Sequence, residues 1–143
     1  MDDYVRKIDL IQNIIQKDIA CDQKSLVHCD YYFNNVLVSE GLEISAVLDF
    51  SKHAVVGDKR LDAASICFLA LDKDVTIDHL DFMTNLIRTQ YGEGINMYLD
   101  IYAIYYAFYY ADTYEFDKNS YTWSLNILND INTWSRLGYK SSV

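Results

Sequence analysis

The chain of 143 residues contains no proline and only five glycines. Asparagine, aspartate, serine and the few glycines must therefore mark its turns and helix ends. Basic residues are also scarce, since 12 lysines and arginines stand against 21 acidic residues and give a formal net charge of −9. A chain of this charge lacks a basic patch that could neutralise phosphates, so we exclude nucleic acid as a partner.

Cysteine is rare as well. Cys21, Cys29 and Cys67 are odd in number and lack the spacing of metal ligands. The first three residues, MDD, are acidic where the start of a signal peptide would be basic. We therefore expect a reduced, cytoplasmic protein.

A long hydrophobic run is the next missing feature. Residues 95–110 are apolar, but Asp100 interrupts them and they fall short of the ~20 residues of a membrane span. We interpret this segment as a buried helix and expect no membrane association. The hydrophobic fraction of 51% is sufficient for a core, and the length predicts one domain over residues 1–143.

Hydrophobic periodicity and turn residues predict an α+β fold that is mostly α. A first amphipathic helix is predicted over residues 4–19, with Ile8, Ile11, Ile15 and Ile19 on one face. A short β-hairpin follows, with strands at residues 36–38 and 44–48. About four helices come next: over 59–72 with Asp58 as the N-cap, from Thr76 to Gly92, over 95–112, and from Ser120 to Gly138.

The segment between the first helix and the hairpin carries the residues that indicate a chemistry. His28 and Asp30 are followed by Asn35, and Asp49 comes after the second strand. Phosphoryl transfer needs a carboxylate to orient the acceptor hydroxyl and oxygen ligands that hold magnesium on the triphosphate. Each residue alone is equally typical of a turn or a strand end. Their joint spacing favours a kinase-type site.

These residues belong to a wider pattern. LVHCDYYFNNVLV, followed by EISAVLDFSKHAVVGDKRLDAASICF, resembles the core of the aminoglycoside phosphotransferase family, which includes choline-kinase-like and hygromycin-phosphotransferase-like enzymes. The family motifs read roughly His-Gly-Asp-x-x-x-x-Asn-x-Leu, apolar-Ile-Asp-Trp/Phe and Gly-Asp-x-x-x-Asp. The matching positions are His28, Asp30, Asn35, Leu37, Leu48, Asp49, Phe50, Gly57, Asp58 and Asp62. Cys29 replaces the usual Gly, and residues 31–34 replace a stretch that often contains Pro.

The resemblance implies a protein-kinase-like C-terminal lobe, nearest to the hygromycin-phosphotransferase-like members. It implies that Asp30 is the catalytic base and that Asn35 and Asp49 hold Mg2+ against the phosphates of ATP. The residues expected to support the site structurally are His28, Asp58 and Asp62. The acceptor implied is a hydroxyl of a small, cationic, aminoglycoside- or choline-like molecule.

A kinase-like enzyme also needs a nucleotide-binding lobe before the catalytic loop. None of the five glycines forms a Gly-x-Gly-x-x-Gly cluster, and no Val-Ala-Ile-Lys-like strand precedes His28. We therefore expect the N-terminal nucleotide lobe to be absent and the isolated chain to be inactive. A separate lobe or a second copy of the chain is then the expected protein partner.

Two other functions remain open. The chain is alternatively a non-catalytic binding or regulatory module that keeps the kinase-like lobe without its chemistry. A magnesium-dependent phosphohydrolase using the same carboxylates is a third possibility, although such sites usually have a denser carboxylate cluster.

Overall fold

The computed structural model describes residues 2–18, 24–50 and 53–140. These residues form two compact units. The first, the helical unit, contains the described residues up to 18 and from 96 onward. The second, the loop unit, contains those from 24 to 95. The single domain over residues 1–143 stays a prediction.

The described part of the chain is mostly helical, with two small antiparallel sheets. In chain order the elements are α1 (Asp2–Asp18), β1 (Ser25–Val27), β2 (Val36–Val38), β3 (Ile44–Val47), β4 (Val55–Gly57), α2 (Arg60–Ala64), α3 (Ile77–Tyr91), α4 (Ile95–Tyr109), α5 (Lys118–Asn129) and α6 (Ile131–Arg136). Two short 3₁₀ helices, Phe33–Asn35 and Ser65–Leu71, are also present. The predicted fold class, α+β and mostly α, is confirmed.

Both sheets belong to the loop unit and contain two strands each. β2 and β3 form the predicted hairpin, with Val36 opposite Val47. β1 pairs with β4, with Leu26 opposite Val56. The sequence predicts an extended segment before His28 but not this second pairing, because strands of three residues that lie far apart carry no periodic signal of their partner.

The helix predicted over residues 59–72 differs from the observed one. α2 contains only Arg60–Ala64 and continues directly as the 3₁₀ helix Ser65–Leu71. The prediction of Asp58 as the N-cap residue is wrong by one position, because Lys59 occupies it with helical dihedral angles. The Asp58 carboxylate nevertheless accepts the backbone N–H of Arg60 at 3.0 Å.

α3 begins and ends where the sequence predicts. Thr76 is the N-cap, and its side chain accepts the backbone N–H of His79 while the His79 ring accepts the N–H of Thr76. Gly92 ends the helix with a φ of 80°, a conformation that glycine adopts without steric cost. Both end signals are confirmed.

The last predicted helix is interrupted. α5 begins at Lys118, two residues before the predicted start at Ser120, with Asp117 as its N-cap, and Asp130 separates α5 from α6. Each aspartate accepts two backbone N–H groups at the start of its helix. The apolar period continues through Asp130, which is why the pattern predicts a single helix.

Buried apolar side chains form the core of the helical unit, including Ile101, Ile104, Trp123 and Trp134. On α1 the predicted apolar face is only partly buried, since Ile8 and Ile15 are exposed. Ile19 lies outside the described residues. Within residues 2–18, 24–50 and 53–140, no helix combines the length and apolar character needed to cross a membrane.

Candidate active site

Asp30 and Asn35 lie together on the loop between β1 and β2. The Nδ2 group of Asn35 donates to the backbone carbonyl of Asp30 at 2.8 Å and to its carboxylate Oδ2 at 3.2 Å. The 3₁₀ helix Phe33–Asn35 reverses the chain here, because the Asn35 N–H donates to the Tyr32 carbonyl at 2.9 Å. One tight turn thus connects Asp30 with Asn35, which follows it by five residues.

Asp49 follows β3 at the end of the hairpin where Asn35 precedes β2. The backbone N–H of Leu48 donates to the Asn35 carbonyl at 2.7 Å. Asp49 itself is exposed and has a φ of 57°, which is uncommon for a residue other than glycine. Asp49 is therefore the residue that follows Leu48, whose backbone N–H bonds directly to Asn35.

His28 is buried and connects the loop to the hairpin. Its Nδ1 accepts the Asp30 N–H at 3.3 Å, and its Nε2 lies 2.7 Å from the Leu48 carbonyl. A neutral imidazole with its proton on Nε2 makes both bonds at once. The ring also packs on Phe50, with 4.6 Å between ring centroids. These contacts suit a residue that braces the site.

Asp62, on α2, binds the backbone of the same loop. Its Oδ2 accepts the backbone N–H of His28 and its Oδ1 accepts that of Cys29, both at 2.9 Å. A carboxylate that accepts two backbone N–H groups makes two charge-assisted hydrogen bonds. Asp62 is therefore positioned to fix the backbone immediately before Asp30.

Asp58 has a different environment. Its carboxylate forms an ion pair with the guanidinium of Arg60, with 2.5 Å between Oδ2 and the nearest nitrogen. Together with the backbone bond to Arg60, this pair anchors the first turn of α2. Asp58 therefore acts on the helix that carries Asp62.

Cys29 occupies the position where the family pattern has glycine, and its φ is 62°. This is the left-handed region, in which a side chain costs steric energy that glycine avoids. Partial burial, with the negative charge of Asp62, raises the pKa of the Cys29 thiol. A thiol in this state is a poor nucleophile, so the residue fills space beside Asp30.

Sequence reasoning missed two further attachments of the loop. The hydroxyl of Ser65 donates to the Tyr31 carbonyl at 3.0 Å, and the Tyr32 hydroxyl donates to the Asp72 carboxylate at 2.9 Å. Burial, followed by the bond to Asp72, raises the pKa of Tyr32. The one sequence signal for these contacts was that YYFN, at residues 31–34, replaces a stretch that often contains Pro in the family.

The donor set of the site matches the chemistry of magnesium. Nδ2 of Asn35 is engaged with Asp30, so the amide oxygen Oδ1 is the atom left for a metal. Amide and carboxylate oxygens, here from Asn35 and Asp49, are ligands that Mg2+ accepts. In the described part of the chain, no three His, Cys, Asp or Glu side chains are grouped closely enough to hold a metal by themselves. Two protein oxygens would leave the other positions of the ion to water or phosphate oxygens.

Asp100, in the helical unit, is a carboxylate that could attract a cationic acceptor. Both of its oxygens accept hydrogen bonds from the Arg136 guanidinium at 2.8 Å. This bidentate pair compensates the charge of Asp100. A cationic ligand would have to displace Arg136 to use this carboxylate.

Comparison with protein families supports the chemistry indicated by this geometry. A family model described as "Phosphotransferase enzyme family" matches residues 2–110, more than half of the chain. The matched range includes the whole loop, both sheets and helices α1 to α4. Neither the curated proteins nor the solved structures gave a match to this chain.

Proposed function

Since this chain belongs to the phosphotransferase enzyme family, we propose that it provides the proton-accepting and metal-holding residues for transfer of a phosphoryl group from ATP to a hydroxyl of a small, cationic, aminoglycoside- or choline-like molecule. The observation that supports this most directly is the hydrogen-bonded pair of Asp30 and Asn35, with Asp49 following Leu48. Their combination in one loop and hairpin matches the parts that phosphoryl transfer requires.

Asp30 is the proposed catalytic base. Asn35 engages its Oδ2, so Oδ1 is the oxygen that would receive the proton of the acceptor hydroxyl. The bond from Asn35 fixes the orientation of the carboxylate, and His28 fixes the backbone of Asp30. Orientation of the attacking hydroxyl is the main task of this residue in a phosphotransferase.

Asn35 and Asp49 are the proposed magnesium ligands, through Oδ1 of the amide and the carboxylate. Magnesium bound there would neutralise negative charge on the phosphates during transfer. The backbone bond between Leu48 and Asn35 keeps the two ligand-bearing residues at one end of the hairpin.

Residues 1–143 are proposed to act as one C-terminal catalytic and substrate-binding domain in a reduced cytoplasmic setting. The glycine-rich loop and the strand lysine that hold the nucleotide in a kinase-like enzyme are not found among these residues. We propose that a further lobe or a partner chain supplies them, and that the isolated chain has negligible activity. Exposed apolar side chains on the strands support such a partner: Leu26, Leu37, Val38, Ile44 and Val56.

Metal binding can be tested on the chain alone. Addition of Mn2+ and ATP should broaden the NMR signals of the Asn35 side-chain amide and the Asp49 backbone amide, because a paramagnetic ion at this site lies close to both. Asp49→Asn should abolish the broadening, whereas Asp81→Asn, on the exposed face of α3, should leave it unchanged. Equal broadening in the Asp49 variant would overturn the ligand assignment.

Catalysis can be tested once the nucleotide-binding part is present. Asp30→Asn should lower kcat by about 10²–10⁴-fold, the usual contribution of a general base, with little change in nucleotide affinity. Asp81→Asn should retain full activity. An active Asp30→Asn enzyme would remove the proposed base. The alternative function, a non-catalytic module, predicts no ADP formation from any acceptor, with or without the added part.

A further inference from the structure

The loop unit contains a cavity of about 180 Å³ behind the segment that connects Asp30 to Asn35. Its walls come from the loop, α2, the 3₁₀ helix Ser65–Leu71 and α3. The apolar and aromatic residues that line it include Tyr31, Phe33, Ile66, Leu69, Met83 and Ile87. Asp30, Asn35 and Asp49 are not among the lining residues, so the cavity is distinct from the proposed site of phosphoryl transfer.

Three polar side chains at this cavity, those of Asp62, Ser65 and Tyr32, are already engaged by the protein. The carboxylate of Asp62 holds two backbone N–H groups of the loop, and the Ser65 hydroxyl donates to the Tyr31 carbonyl. The Tyr32 hydroxyl is likewise bonded to Asp72. An anionic or strongly polar ligand would therefore lose its hydration and gain little from these groups, which is unfavourable. An uncharged, apolar ligand has no such cost.

The volume limits the ligand to one or two rings. A dry apolar cavity of roughly 150 Å³ is known to bind benzene. A space of about 180 Å³ accommodates a single ring or a small fused bicycle. A whole nucleotide or aminoglycoside is far larger than this space and does not fit inside it.

We propose that this cavity is a binding site for a small, uncharged aromatic molecule, and that its occupation stabilises the loop between Asp30 and Asn35. The loop segment Tyr31–Phe33 is at once the cavity wall and the connection between the two residues. A ligand that packs on this wall favours the conformation in which the Tyr31 carbonyl and Tyr32 hydroxyl keep their hydrogen bonds. By linkage, the ligand shifts the loop toward that conformation.

Indole titrated into the full chain, with the methionine methyl groups labelled with ¹³C, tests the binding. The Met83 methyl, which lines the cavity, should shift in a saturable way, whereas the Met97 methyl, on α4, should not. No shift at Met83 up to the solubility limit of indole, or equal shifts at both methyl groups, would overturn the proposal.

Two matched variants, each with an alanine replaced by leucine, test the location of the site. Ala63→Leu fills the cavity from α2 and should weaken indole binding at least tenfold. Ala70→Leu adds the same atoms at an exposed position nearby and should not affect binding. If Ala63→Leu does not fold, Ile87→Phe fills the cavity from α3 and takes its place. Unchanged affinity in a folded cavity-filling variant would contradict the assignment.

Amide hydrogen exchange tests the effect on the loop. Saturation with indole should slow exchange of the Tyr32 and Asn35 amides at least threefold, because both donate to carbonyls within the loop. The Ser39 amide, in the hairpin turn, serves as the control and should not change. Unaltered exchange at Tyr32 and Asn35 on a saturated protein would refute the coupling between the cavity and the loop.

Discussion

The interactions that stabilise the helical unit internally differ from those inside the loop unit. In the helical unit, large apolar side chains such as Ile101, Ile104 and Trp134 are almost completely buried. In the loop unit, the buried apolar residues of the described part are few and include no aromatic side chain; they are Val27, Ala64, Leu69 and Ile95. The loop is held instead by hydrogen bonds between backbone groups and the side chains of His28, Asp62 and Ser65.

The two kinds of interaction have different consequences: one mainly stabilises the fold, and the other mainly orients individual groups. Burial of apolar surface is the larger contribution to folding, but it is non-directional. Hydrogen bonds contribute less to stability and fix orientation more strictly. Hydrogen bonds are therefore the interaction suited to fixing the orientation of Asp30 and Asn35. The comparison predicts that truncation of a side chain affects stability mainly in the helical unit, and that loss of a polar atom affects local order mainly in the loop unit.

The largest effect is expected from Trp134→Ala in the helical unit. Trp134 is buried, its Nε1 donates to the Leu128 carbonyl at 2.8 Å, and its ring lies 4.9 Å from the Lys7 ammonium. Removal of the ring creates a cavity and leaves Lys7 buried without this aromatic contact. We expect the free energy of unfolding to fall by about 4 kcal/mol, measured by urea denaturation.

Phe116→Ala is the control for this variant, because Phe116 is 79% exposed and should cost little. Equal losses for the two substitutions would contradict the view that burial stabilises the helical unit.

Asp62→Asn should produce the next largest effect, and a local one. An amide offers a single acceptor oxygen, so one of the N–H groups of His28 and Cys29 loses its partner. We expect a local cost of about 2 kcal/mol. Hydrogen exchange at these two amides should then become ~30-fold faster. Asp81→Asn should leave both rates unchanged, and a similar acceleration there would contradict a specific role for Asp62.

A smaller effect is expected at the helix caps, and it depends on pH. The Thr133 hydroxyl is the main group that holds the pKa of Asp130 below its usual range, with added bonds from the N–H groups of Asn132 and Thr133 and opposition from burial. Because the pKa is lower in the folded state, the stabilisation is present above the unfolded pKa near ~4 and is lost as the pH falls through the folded pKa.

Asp130→Ala should therefore cost about 1 kcal/mol at neutral pH and less in acid. Denaturation curves between neutral pH and about pH 2 would measure the difference. A cost that does not decrease on acidification would show that the charge of Asp130 is not the origin of the effect.

The smallest effect concerns Cys29. Glycine adopts its φ of 62° without steric cost, whereas alanine keeps the strain. Cys29→Gly should therefore be more stable than Cys29→Ala by ~0.5–1 kcal/mol, after allowance for the greater freedom of glycine in the unfolded chain. Thermal denaturation of the pair provides the measurement. Equal stabilities would mean that the left-handed conformation is not strained.

Local signals were sufficient to predict part of the fold. The Thr76 cap and Gly92 delimit α3 because capping and chain reversal depend on the residue at that position alone. The hairpin of β2 and β3 was predictable because its strands are adjacent in sequence. The pairing of β1 with β4 and the break at Asp130 were not, since one depends on distant strands and the other on a cap within a continuing apolar period.

The candidate site divides in the same way. The spacing of Asp30, Asn35 and Asp49 predicted the candidate site. One tight turn brings Asp30 and Asn35 into hydrogen-bond contact, and the hairpin pairs Leu48, the residue before Asp49, with Asn35. The φ of Cys29 and the bonds from Ser65 and Tyr32 were not visible, because backbone dihedral angles and contacts over 30 residues or more leave no trace in local pattern.

Leu48 illustrates how such a site can escape mutational scanning. Its N–H donates to Asn35 and its carbonyl accepts from His28, while its side chain is partly exposed to solvent. Alanine at this position would preserve both main-chain groups and score as neutral. An amide-to-ester replacement at the Leu48 nitrogen, introduced by chemical synthesis, would remove only the donor and expose a dependence that no side-chain library samples.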